Sequence, residues 1–284
     1  MDSFKFIKYI DPDFVDYFPA IIYKYRDWIN EFHKKIILDR ELYFSNPGDF
    51  NDPFDCNLTL NFESCTENEI LEIYRSDLKI LNPEWRFEQI QEEALGWLKS
   101  GQHRDPKYLK KISTIYLNKL IHLRTGVACF SVFNDNLQMW AHYANNHKGI
   151  CIGFVTKLLA EIINNIIIRV NYTPRYPIIQ PSSNNLYSLD INNLVSILST
   201  KHISWQYEGE VRFILPDHSN RVLKLPSEVY KQIILGVGFI KNLGGDTAKF
   251  KKFIEYLRRE FPNAEIFFAD RHFSRFELQF YKIK

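Results

Sequence analysis

Glu208 and Glu210 stand two residues apart in WQYEGEVRF, residues 205–213, just ahead of the apolar run Val211 to Leu215. Carboxylates at that spacing face the same way if strand geometry already holds at Glu208, and diverge if Gly209 makes a bulge or turn. A fixed carboxylate beside developing positive charge stabilises a cationic transition state, so both are candidate catalytic groups. The structural alternative is a bridge from Glu210 to Arg212 on the same strand face. A second cluster lies in MWAHYANNHKG, residues 139–149. Trp140, His142 and Tyr143 fall on little more than one helical turn and present an indole, an imidazole and a phenol together. His142 is a candidate base, and the aromatics suit either ring stacking or core packing. A third cluster is NPGDFNDPFD, residues 46–55, where Asn51, Asp52 and Asp55 sit beside Phe50 and Phe54. It suits a polar ligand, or a turn locked by its own side chains.

The elements that must position these groups follow from pattern. Val127–Ser131 reads as a strand, Asn134 and Asp135 as a turn, Leu137–Asn146 as a helix and Ile150–Phe154 as a second strand after Gly149. Upstream, a strand is predicted over Ala20–Arg26, a helix over Trp28–Ile37 and a strand over ELYFS, residues 41–45. Residues 66–125 read as helices: Thr66 with Glu69 forms a capping box, and Asn82-Pro83 and Asp105-Pro106 mark two further starts, with Gly101 and Gly126 as stops. Downstream come a strand over Ile166–Tyr172, a helix near Leu189–Thr200, a strand over Val211–Leu215 and one over Gln232–Val237. The helix Asp246–Phe261 and strands Glu265–Ala269 and Phe276–Ile283 close the chain. The expectation is one α+β domain over residues 1–284, built on a mixed twisted sheet with a helical insertion or lid at 64–125.

With 45% hydrophobic and 25% charged residues the chain has the material for a folded core rather than a disordered segment. The acidic, interrupted start does not read as a signal peptide, and no apolar run reaches the ~20 residues of a membrane helix, so a cytoplasmic location is expected. Cys56, Cys65, Cys129 and Cys151 form no CxxC pair and read as free thiols without a zinc site. GVG at 236–238 lacks the third glycine of a dinucleotide fingerprint. Positive charge concentrates in one segment: Lys99, Arg104, Lys107, Lys110, Lys111, Lys119 and Arg124 face the single acid Asp105, which makes it a candidate nucleic-acid surface or a solvated helix face.

In order along the chain, YKYR at 23–26, LYFSNPGDFNDPFD at 42–55, ACFS at 128–131, MWAHYANNHKGICIGF at 139–154 and WQYEGEVRF at 205–213 resemble a widespread bacterial family of unknown function. A basic residue ending the first strand, then a helix, a second strand with a polar loop, and later an E-x-E at a strand entry also resemble ADP-ribosyltransferase domains. That second resemblance implies NAD as substrate. Arg26 would help hold it, Ser45 or Ser131 would shape the nicotinamide pocket, and Glu208 and Glu210 would form the E-x-E, whose last glutamate contacts the nicotinamide ribose. Tyr25, Trp140 and Tyr143 are candidates for stacking on its rings, and Asn51, Asp52 and Arg212 for polar contacts. Neither ELYFS nor ACFS carries the Ser-Thr-Ser run of that family. The implied setting is a toxin or phage-defence effector.

Two rival readings come from other classes. A metal-dependent nuclease would use Asp52, Asp55, Glu208 and Glu210 as oxygen ligands and His142 or a water as base. A non-catalytic module would bind nucleic acid or protein through Lys99–Arg124, the motifs serving the fold.

Overall fold

The computed structural model describes residues 17–122, 124–181, 191–216 and 218–284. Along the chain the elements are β1 (Ile21–Arg26), α1 (Glu31–Leu38), β2 (Glu41–Phe44), β3 (Thr59–Leu60), α2 (Glu67–Leu81), α3 (Phe87–Ser100), α4 (Pro106–Tyr116), β4 (Thr125–Ser131), α5 (Leu137–Tyr143), β5 (Ile150–Val155), α6 (Thr156–Ile163), β6 (Ile166–Arg169), β7 (Asn171–Thr173), β8 (Ile178–Ile179), α7 (Ile191–Ser199), β9 (Thr200–His202), β10 (Glu210–Pro216), β11 (Arg221–Lys224), β12 (Tyr230–Leu235), α8 (Phe239–Asn242), α9 (Thr247–Glu260), β13 (Glu265–Arg271) and β14 (Leu278–Lys282). The fold is α+β. It divides into two compact units, one formed by Met1–Ser45, Gly126–Val170 and Ser204–Lys284, the other by Asn46–Thr125 and Asn171–Ile203.

The first unit is built on an eight-stranded sheet in the order β14-β13-β12-β5-β1-β4-β10-β6. It is mixed: β12 and β13 run parallel, whereas β1 with β5, β5 with β12 and β6 with β10 are antiparallel. Alternation along β1 sends Ile22 into a large core with Phe130, Ile152, Phe154, Phe213 and Tyr230. Tyr23 and Tyr25 go instead into a smaller cluster with Trp140 and Cys151. The β1 and β5 strands share a six-residue register, but β1 meets β4 at one registered pair, Tyr23 with Ser131.

The second unit takes in the helical block. The Thr66–Glu69 capping box forms as expected, with the Glu69 backbone N–H donating to Thr66 Oγ1 and Thr66 N–H donating back to Glu69 Oε2. Asp105 caps α4 ahead of Pro106, and Gly101 ends α3 in the left-handed region at φ 71°. The three helices close over Tyr74, Trp97 and Tyr108, whose ring centroids are mutually 5.5 Å apart.

Several boundaries move for physical reasons. Helix α1 begins at Glu31 because Asn30 accepts from the Phe32 and His33 N–H groups, which leaves Trp28 and Ile29 outside it. Asn82 closes α2 instead of opening α3, whose first residue is Phe87. Gly126 is no helix stop but lies within β4, where an added Cβ would stand 2.3 Å from the His218 carbonyl oxygen. The stretch Ile166–Tyr172 breaks at Val170 into β6 and β7. Helix α7 covers Ile191–Ser199, and the expected start near Leu189 lies outside the described residues. All four cysteines are free thiols, and no helix among the described residues is long and apolar enough to cross a membrane.

Candidate functional site

Gly209 decides how the E-x-E is used. Its φ is +50°, and a Cβ there would lie 2.5 Å from the Phe133 ring. The turn ends a short helical segment at Glu208 and opens β10 at Glu210, so the two carboxylates diverge. Glu208 accepts from the Tyr143 hydroxyl at 2.6 Å, and its backbone carbonyl accepts from Ser131 Oγ at 2.6 Å. Glu210 turns instead to Arg212, which grips it through Nε at 2.9 Å and Nη2 at 3.0 Å. Both members of that pair are buried. The same-face bridge is therefore present, and it sits inside the protein.

Helix α5 completes this arrangement. Asn136 caps it, accepting from the Met139 N–H while its amide donates to the Tyr207 carbonyl at 2.9 Å. Tyr143 then points at Glu208, and His142 is exposed with its ring 6.1 Å from that of Tyr207. Trp140 and Tyr25 play a different part from ring stacking on a ligand. Trp140 is fully buried, donates to the Asn134 carbonyl at 2.8 Å and meets the Tyr25 ring edge-on at 5.3 Å. Tyr25 is buried as well and donates to the Phe133 carbonyl at 2.9 Å. These two hold α5 and the 132–136 loop in place.

The end of β1 carries a group of cations. Lys24, 6% exposed, donates to the Cys129 carbonyl at 2.6 Å with its amine 4.8 Å from the Phe130 ring centre. Partly buried Arg26 makes one long hydrogen bond among the described residues, from Nη1 to the Tyr25 carbonyl at 3.4 Å. His33, on the facing helix, has a buried Nδ1 without a hydrogen-bond partner among the described residues. Burial, then the Arg26 charge, brings the Lys24 ammonium down to about 7. Burial brings Arg26 down to about 10, so it stays charged at neutral pH. Burial and the charges of Arg26 and Lys24 bring His33 down to about 4 and keep its ring neutral. Cys129 feels the same groups: burial and then the Glu210 charge push its thiol up, opposed by Arg212 and Lys24. Lys24 of β1 and Glu210 of β10 thus both act on the Cys129 thiol.

Ser131 and Tyr143 both bond Glu208, whereas Glu210 and Arg212 bond each other beyond the turn at Gly209, and the Glu210 charge acts on Lys24. Ser45 lies elsewhere in its unit, its N–H bonded to the Val127 carbonyl at 2.9 Å. Asn51, Asp52 and Asp55 belong to the second unit. There Asp52 Oδ1 accepts from the Phe54 N–H at 2.9 Å, and Asp55 Oδ1 from the Cys56 N–H at 2.7 Å, while Lys201 stands 3.4 Å from Asp55 Oδ2. Among the described residues no three His, Cys, Asp or Glu side chains gather as a metal site. Pattern reading passed over Lys24 and His33. The sequence signal is slight: Lys24 shares a strand face with apolar Ile22 but also with Arg26.

A family model described as a protein of unknown function (DUF2971) matches residues 139–213, from within α5 to within β10. The matched stretch contains His142, Tyr143, Glu208, Glu210 and Arg212. Comparison with curated proteins and with solved structures finds no match.

Proposed function

We propose that the first unit binds NAD and transfers its ADP-ribose. The observation that carries this reading is the pair of cations at the end of β1. Lys24 feels the Glu210 charge, but neither Lys24 nor Arg26, buried or partly buried, has a carboxylate hydrogen-bonded to it among the described residues, and the orphaned His33 nitrogen accompanies them. Buried charge needs a partner, and an anionic ligand supplies one. A pyrophosphate suits the planar fork of Arg26 and the spare donors of Lys24.

The E-x-E supports the second half of the reading. In the reaction the bond between the ribose C1′ and the nicotinamide nitrogen breaks, and nicotinamide leaves with the bonding electrons as a neutral molecule. Positive charge then develops on the ribose until an acceptor's lone pair forms the new bond to C1′ and the acceptor sheds its proton. Glu208, fixed by Tyr143, is a preorganised carboxylate of the kind that stabilises such charge more in the transition state than in the ground state, while Glu210, held by Arg212, anchors the strand entry beside it. His142, exposed and with its ring 6.4 Å from that of Tyr143, would take the acceptor's proton. A toxin or phage-defence role is consistent with this chemistry.

The test is a titration with NAD that follows heat of binding and nicotinamide release, using wild type, Arg26→Gln and Glu208→Gln. Binding weakened in Arg26→Gln, and release lost in Glu208→Gln with binding retained, is the expected pattern. No binding at millimolar NAD would overturn it.

A further inference from the structure

At one end of the first unit's sheet, three loops converge: 144–149 before β5, 236–241 after β12, and 271–278 between β13 and β14. They line a cavity of about 770 Å³. The first two loops lock each other through backbone contacts. Asn145, Asn146 and His147 are successive left-handed residues, at φ 47°, 53° and 64°. The Gly236 N–H donates to the Gly149 carbonyl and the Gly238 N–H to the His147 carbonyl, each at 2.9 Å. A Cβ on Gly236 would stand 2.4 Å from the His147 oxygen, so the GVG that fails as a nucleotide fingerprint is needed for this close approach. The floor is therefore rigid.

The third loop is ordered as well, although it carries exposed rings. His272 Nδ1 accepts from the Ser274 and Arg275 N–H groups at 3.1 Å each, and the His272 N–H donates to the Glu277 carbonyl at 2.9 Å. This frame holds Phe273 and Phe276 in the open, 92% and 98% exposed. Apolar surface fixed in water at a cavity rim marks a contact site. The surrounding charge specifies the partner. Lys148, Lys241 and Arg271 line the same cavity without a carboxylate partner among the described residues, and its one acid, Glu277, is paired with Arg275 at 3.1 Å.

We propose that this cleft binds single-stranded nucleic acid, with Phe273 and Phe276 stacking on bases and Lys148, Lys241 and Arg271 holding phosphates. Aromatic faces alternating with basic side chains, as in RHFSRF, fit a ligand that presents flat unpaired rings along a charged backbone. A duplex keeps its bases stacked on each other and offers no face to these rings. The cavity's concave wall favours an oligonucleotide over a lipid surface. None of the residues lining it comes from the basic segment Lys99–Arg124, which belongs to the other unit.

The experiment measures fluorescence anisotropy of end-labelled single-stranded DNA and RNA of one mixed sequence, with the full chain, across a salt series. Phe273→Ala/Phe276→Ala is expected to weaken binding at least tenfold with an unchanged salt slope, and Lys241→Gln to lower the logarithmic salt slope by about one. The exposure of all three positions keeps the fold out of the result, and circular dichroism checks that. Comparing the two strands tells whether ribose hydroxyls contribute. Absence of binding by wild type overturns the proposal. So does binding that survives the Phe double variant, or that falls only in Lys107→Glu/Lys110→Glu/Lys111→Glu. Binding to vesicles containing phosphatidylserine, lost in the Phe double variant while the oligonucleotides are ignored, would reassign the cleft to a membrane surface.

Discussion

Arg212 closes a two-pronged grip on Glu210 from two residues further along the same strand, with both side chains buried. Neighbours on one face of a strand are common surface partners, worth little in water. Here the pair is buried, so its mutual attraction is screened far less. Glu210→Gln and Arg212→Met are each expected to lose about 3–5 kcal/mol of stability, because each strands a buried charge. Combining the two changes should recover much of that loss. Urea denaturation of the four proteins measures the coupling, and single-variant losses below ~1 kcal/mol would show that solvent reaches the pair.

An anion held by Lys24 as proposed would bind with an affinity that depends on pH. The folded value of Lys24, about 7, lies below the 10.5 of an ordinary lysine, chiefly through burial and then through Arg26. Below about pH 7 the ammonium is charged and attracts an anion; above it the amine is neutral. Affinity for inorganic pyrophosphate should therefore fall as pH rises from 6 to 8.5, by up to tenfold per unit above 7. Lys24→Met should flatten the profile. The same shift has a stability consequence of definite sign. Between about pH 7 and 10.5 the unfolded chain holds a proton that the folded chain has released, so stability rises with pH across that window. Lys24→Met should be more stable than wild type at pH 6, and that difference should shrink toward pH 10. A pH-independent pyrophosphate affinity in wild type would remove Lys24 from the anion site.

The features legible in the sequence are those encoded locally. Thr66 with Glu69, Asp105 before Pro106 and Asp246 before α9 each cap a helix through contacts two or three residues away. Helix α6 was hidden because Thr156 follows β5 without a separating turn; its sign was Asn164, a left-handed cap at φ 47°. Features set by long-range pairing were not legible. Nothing near Trp140 says that Tyr25, more than a hundred residues earlier, covers it, and an indole beside a histidine reads equally as ligand platform or core. The E-x-E was recognisable as a pair, but its divergence hung on one torsion at Gly209. Lys24 and His33 became conspicuous only when β1 and α1 placed them beside Arg26.

That torsion can be tested directly. Gly209→Ala introduces a Cβ at φ +50° and drives it against the Phe133 ring and Val132 Cγ2, 2.5 and 2.8 Å away. Left-handed alanine alone costs about 1–2 kcal/mol, and the contact adds to it. The expected result is a loss of at least ~1 kcal/mol in denaturation together with weakened Tyr143–Glu208 contact, seen as an altered tyrosine signal in NMR. A neutral substitution would mean that residues 207–210 relax into another turn at no cost.

Tyr143→Phe separates positioning from packing. The ring stays and the hydroxyl that donates to Glu208 at 2.6 Å is lost. A hydrogen bond to a charged group contributes about 1.5–3 kcal/mol, so a stability loss of that order is expected whatever the function. If Glu208 acts on the ribose, nicotinamide release should also slow tenfold or more at saturating NAD while KM stays nearly constant, since the contact matters most once charge has developed. A rise in KM with kcat preserved would instead place Tyr143 in ground-state binding. Loss of stability with both constants unchanged would confine the Tyr143–Glu208 bond to holding α5 against the turn that opens β10.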